Sequence, residues 1–112
     1  MSGITTHVLD TSSGHPAIGV KVVLQILSGR EWTDVGGGLT DANGRCNSLL
    51  GDQSLTAGAF RLLFDAGAYY RELHKDTFYT EIPIVFEVRQ PEAHYHVPLL
   101  LSPFGYSTYR GS

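Results

Sequence analysis

Short runs of period-two alternation, each closed by turn residues, leave this chain few folds to choose from. Ile4, Thr6 and Val8 alternate with Thr5, His7 and Leu9 before the cluster Asp10-Thr11-Ser12-Ser13-Gly14. Alternation at period two puts neighbouring side chains on opposite faces of a strand, and Asp, Ser and Gly favour turns. Ile4 and Val8 are the expected core side, which leaves His7 facing away from the interior. Val20, Val22, Leu24 and Ile26 repeat the pattern up to Ser28-Gly29-Arg30. Glu31 to Val35, with Trp32, reads as a third strand broken at Gly36-Gly37-Gly38, a turn or bulge that lacks the strand-to-helix context of a phosphate loop. Asn43-Gly44 is a hairpin signal and projects Arg45 from its far side.

After an irregular polar stretch from Asp52 to Gly58, Phe60, Leu62 and Phe64 point inward and Arg61 and Asp65 outward. Ala68 to Lys75 is the one helical candidate, and two turns of helix need a sheet to pack on. Ile82, Ile84, Phe86 and Val88 alternate again, and Pro83 marks a strand start or an edge. His94 to Ser112 splits at Ser102-Pro103 into two strands, with His94 and His96 opposite Tyr95, Val97, Leu99 and Leu101. About eight short strands, one short helix and no internal repeat predict an all-β antiparallel sandwich, one domain over residues 1–112.

At 112 residues with 42% hydrophobic and 17% charged residues, the chain can bury a core without staples. A net charge of −3 and the lack of any Lys/Arg cluster argue against nucleic acid. The single Cys46 cannot form an intrachain disulfide, no Cys/His spacing suggests zinc, and a small buried hydrophobe is expected there. The first residues show no cationic start followed by an apolar run, and no run approaches the ~20 residues of a membrane helix. The expectation is a cytoplasmic protein with no metal, cofactor or membrane partner.

Two imidazoles, His7 and His96, fall on outer strand faces, where an unperturbed pKa of about 6.5 suits proton transfer. Alternation alone favours plain solvation for both. Arg45 could clamp a carbonyl or an anion with its planar fork, or be an ordinary surface arginine. His15 in a turn, His74 on the helix and His94 at a strand entrance, either supporting a catalytic neighbour or solvated, are weaker candidates. No acid pair emerges, and no G-x-S-x-G elbow makes Ser112 a nucleophile. The tail Tyr109-Arg110-Gly111-Ser112 places an aromatic, a cation and a hydroxyl together.

The segment HYHVPLLLSPFGYSTYRGS resembles the C-terminal signature of the transthyretin-like 5-hydroxyisourate hydrolases. ITTHVLDTSSGHPA is similar to that family's N-terminal motif and TDANGRC to its central one, so the resemblance spans both ends and the middle. Asn43 stands where the family pattern has an acidic residue, at a turn position. The resemblance implies a prealbumin/transthyretin-like sandwich and a homotetramer with sites where subunits meet. It implies catalytic roles for His7, Arg45, His96 and Ser112, and substrate binding by His7, Arg45 and Tyr109. The transthyretin carriers share the fold but lack the Tyr-Arg-Gly-Ser ending, which this chain has. The implied activity is hydrolysis of 5-hydroxyisourate; carriage of a small aromatic ligand is the alternative.

Overall fold

The computed structural model describes residues 3–112. Among the described residues the alternation becomes nine strands and one helix. They are β1 (Gly3–Asp10), β2 (His15–Pro16), β3 (Lys21–Ser28), β4 (Glu31–Leu39), β5 (Arg45–Cys46), β6 (Gly58–Asp65), α1 (Ala66–Glu72), β7 (Glu81–Val88), β8 (His94–Ser102) and β9 (Gly105–Thr108). One sheet runs β2-β1-β8-β9, with β5 also paired to β1; the other runs β4-β3-β6-β7.

The inward sets predicted from alternation meet between the sheets. Ile4, Val8, Leu99 and Leu101 come from the first, and Val22, Leu24, Phe60, Leu62, Phe64 and Ile82 from the second; all are buried. Each such side chain contributes roughly 1.5–3 kcal/mol by leaving water. Polar groups caught inside are partnered: Thr6 donates to the Val97 carbonyl at 2.6 Å, and Thr40 to the Ala17 carbonyl at 2.7 Å. Cys46 is buried as expected, and burial pushes its thiol pKa up, which keeps it protonated. Pro83 lies on β7, the edge of its sheet, where a missing N–H costs no ladder bond.

Four details differ from the expectation. The sandwich is not wholly antiparallel: β1 and β8 run parallel, Gly3 opposite His94 through Asp10 opposite Leu101. Parallel neighbours must be joined by a long crossover, and here nearly the whole chain lies between them. The glycine triplet does not end the third strand. β4 continues through it to Leu39, with Val35 left as the extra residue of a bulge opposite Leu24 and Gln25. The need for glycine is steric, because a Cβ on Gly36 would lie 1.8 Å from the Leu49 carbonyl oxygen. The loop after β5 presses directly onto this backbone.

The Asn43-Gly44 turn closes no hairpin of long strands; it delivers the two-residue β5 to β1, with His7 opposite Arg45. Lastly, α1 begins at Ala66, capped by the Asp65 carboxylate accepting from the Ala68 N–H at 3.0 Å, and ends at Glu72. His74 therefore lies just past the helix, in the left-handed conformation at φ 57°. The helix is tied to the sandwich through Asp10, which is 1% exposed and accepts from the hydroxyls of Tyr69 at 2.9 Å and Tyr70 at 3.2 Å. Burial pushes the Asp10 carboxyl up, but bonds from Ser12, Tyr69 and Tyr70 outweigh it and hold the pKa below the usual value. Among the described residues no helix is long and apolar enough to cross a membrane.

Candidate active site

The outer face of the first sheet carries the candidate residues. With Ile4, Thr6, Val8 and Asp10 committed to the core, β1 must present Thr5, His7 and Leu9 on the other side. On β8 the same logic presents His94 and His96 while Tyr95 and Val97 are buried. The parallel register sets Thr5 beside His96, and the β1–β5 register sets His7 beside Arg45. Arg45 owes its placement to Asp41, whose carboxylate accepts from the N–H groups of Asn43 and Arg45, both at 2.9 Å, and fixes the turn. These same bonds lower the Asp41 pKa.

The tail closes one side. After β9 the chain turns back over β8, and the Gly111 N–H donates to the His96 carbonyl at 2.8 Å. A Cβ on Gly111 would come within 2.5 Å of His96 Cδ2, so only glycine lets the tail lie flat against the imidazole. Arg110 points the other way, its guanidinium 4.6 Å from the centre of the Tyr95 ring, and so clips the tail to the sheet. Tyr109, Gly111 and Ser112 line an open cleft of about 760 Å³, together with Thr5, His7, Arg45, Asn47, His94 and His96.

All five residues singled out from the sequence, His7, Arg45, His96, Tyr109 and Ser112, therefore border one cleft. Their chemistry is complementary: two imidazoles to move protons, a guanidinium for negative charge, and a phenol and a hydroxyl at the rim. Burial, and then the nearby charges of Arg45, His7 and His94, lower the pKa of His96. The imidazole is thus held neutral and able to accept a proton at neutral pH. No group of three or more His, Cys, Asp or Glu side chains suited to a metal occurs among the described residues.

Sequence reasoning passed over several members of the cleft. Thr5 Oγ1 lies 2.8 Å from His96 Nδ1 and 2.9 Å from His94 Nε2. Alternation had placed Thr5 on the His7 face, but a threonine on a strand attracts no notice by itself. His94, expected at the strand entrance to support the site or be solvated, is exposed yet shares this hydrogen-bonded group. Asn47 follows β5 and has no signal in the sequence alone.

The HIUase/Transthyretin family model matches residues 4–111. The 5-hydroxyisourate hydrolase of Salmonella dublin is 44% identical over 109 residues, covering 97% of this chain and 80% of that protein. Among solved structures, 5-hydroxyisourate hydrolase from Klebsiella pneumoniae superimposes with a TM-score of 0.88 at 35% identity, covering all of both chains. Sea bream transthyretin in complex with thyroxine gives a TM-score of 0.89 at 33% identity, covering 96% of this chain and 93% of its own. Sandwich, cleft and sequence agree, and the chain belongs to the HIUase/Transthyretin family.

Proposed function

We propose that this chain hydrolyses 5-hydroxyisourate to 2-oxo-4-hydroxy-4-carboxy-5-ureidoimidazoline. Water adds to a ring carbonyl carbon, the bond from that carbon to the ring nitrogen breaks, the nitrogen leaves with a proton and the carbon ends as a carboxylate. The observation that carries this assignment is the meeting of His7, Arg45 and His96 on one open face, with the Tyr-Arg-Gly-Ser tail folded beside them.

Each step has a group suited to it. One of the two histidines takes the proton of the attacking water, and the other orients the ring or protonates the departing nitrogen. Arg45, which borders the cleft, steadies the oxyanion that develops on the carbonyl oxygen with its guanidinium charge. Tyr109 flanks the flat heterocycle, and the Ser112 hydroxyl holds water or a histidine. The residues assigned to catalysis are His7, Arg45, His96 and Ser112; substrate contacts come from His7, Arg45 and Tyr109.

The chain acts as one domain, residues 1–112, within a homotetramer whose sites lie where subunits meet. Apolar Leu9 and Leu100 support this, being register partners on the same outer face as His7 and His96. A face that mixes leucines with catalytic groups is better served by a facing subunit than by bulk water.

The assignment is tested by adding the protein to urate freshly oxidised by urate oxidase and following the absorbance of the intermediate. Its decay should accelerate in proportion to protein concentration. Unchanged spontaneous decay, with tight binding of thyroxine, would make the chain a carrier.

A further inference from the structure

The cleft holds a hydrogen-bonded group that the proposed hydrolysis does not yet use, and the inference drawn from it rests on that hydrolysis. His96 meets its surroundings through defined atoms. Its Nδ1 lies 2.8 Å from Thr5 Oγ1, and its Cδ2 lies against Gly111, where even a methyl group would approach to 2.5 Å. The Nε2 atom has no hydrogen-bonding partner among the described residues, and the ring borders the same cleft as His7 and Arg45.

A neutral imidazole carries its proton on one nitrogen only, and the other nitrogen is the one that can act as a base. If Nε2 is to draw a proton from water, the proton of His96 must reside on Nδ1, where it is donated to Thr5. Thr5 has a single hydroxyl proton. Once its oxygen accepts from His96, that proton turns elsewhere, and His94 Nε2 stands 2.9 Å from the same oxygen, ready to accept it. The chain of donors then runs from His96 through Thr5 to His94, with the Thr5 hydroxyl accepting on one side and donating on the other.

We propose that Thr5, backed by His94, is a positioning residue that holds His96 as the Nδ1–H tautomer and so makes its Nε2 the base that activates water. The choice of a hydroxyl has a consequence. A carboxylate at this place would fix the same tautomer but would raise the basicity of the ring and draw a proton onto it. Among the described residues no Asp or Glu side chain lines the cleft; the ionisable side chains that share it with His96 are His7 from β1, Arg45 from β5, His94 from β8 and Tyr109 from the tail. A neutral hydroxyl partner keeps His96 oriented without adding a negative charge that would draw a proton onto the ring.

The test compares Thr5→Val, which removes the hydroxyl at nearly constant shape, with Thr5→Ser, which keeps it. In Thr5→Val, kcat should fall by roughly 10- to 100-fold, the scale of a mis-set catalytic group, with KM changing by less than about twofold. Thr5→Ser should recover most of the rate. Nitrogen-15 NMR of the imidazoles should show His96 protonated on Nδ1 in the wild type and in Thr5→Ser, and moving toward Nε2 in Thr5→Val. Wild-type kcat in Thr5→Val, or a neutral wild-type His96 protonated on Nε2, would overturn the proposal. A His96→Ala control separates the two failures. If that control is inactive while Thr5→Val is fully active, only the role of Thr5 falls. If the control is itself fully active, the site assignment falls and takes this proposal with it.

Discussion

At the scale of single residues, the proposed chemistry depends on His96 remaining neutral. Burial and the charges of Arg45, His7 and His94 all lower its pKa. The sign follows directly: the base-competent form persists below the ordinary histidine value of about 6.5, and activity is lost only as pH falls through the lowered value. Removing the Arg45 charge should move the His96 pKa upward. An NMR titration of the His96 ring in Arg45→Gln against wild type checks this without relying on activity, and an unchanged or lower value would contradict the electrostatic picture. Lying in one cleft also changes what each side chain means. His7 and His96 looked like solvated outer-face histidines from alternation alone, and Arg45 like any arginine after a turn. Their proximity is a product of register, which local patterning does not reveal.

At the scale of elements, the tail and the parallel β1–β8 pair build the cleft. The tail is held by the Gly111–His96 backbone bond and by the Arg110 guanidinium over Tyr95. Gly111→Ala should push either the tail or the imidazole aside, because the new methyl has no room beside His96 Cδ2. The expected result is a folded protein with kcat reduced by about 10²-fold, read from steady-state kinetics beside a circular dichroism spectrum. Wild-type kinetics in that variant would show that the tail does not shape the site.

Much of this level was legible beforehand. The inward sets of β1, β3, β6, β7 and β8 were all readable, because period-two burial is a local signal. The parallel pairing was not, since it joins segments about ninety residues apart. Nor was the role of Gly36, whose constraint comes from Leu49 in another part of the chain. From the sequence, Asp10 reads as the start of a turn. Its function as the buried anchor for Tyr69 and Tyr70 depends on a helix that packs back onto β1, which no short window contains.

At the scale of the whole molecule, the proposed activity places a handful of side chains on one face of a scaffold shared by a transthyretin and a 5-hydroxyisourate hydrolase. The fold likeness to sea bream transthyretin and to the Klebsiella enzyme is nearly equal, with TM-scores of 0.89 and 0.88, so fold does not choose between them. The site does. The most direct test compares wild type, His96→Ala and Arg45→Ala for decay of freshly generated 5-hydroxyisourate by stopped-flow absorbance, with masses matched by light scattering. All three should have four times the mass of the 12.2 kDa chain. The wild type should accelerate decay. His96→Ala should lose on the order of 10²–10⁴ of the rate and Arg45→Ala on the order of 10²–10³. Wild-type rates in either folded variant would contradict the assignment of ring opening to this cleft.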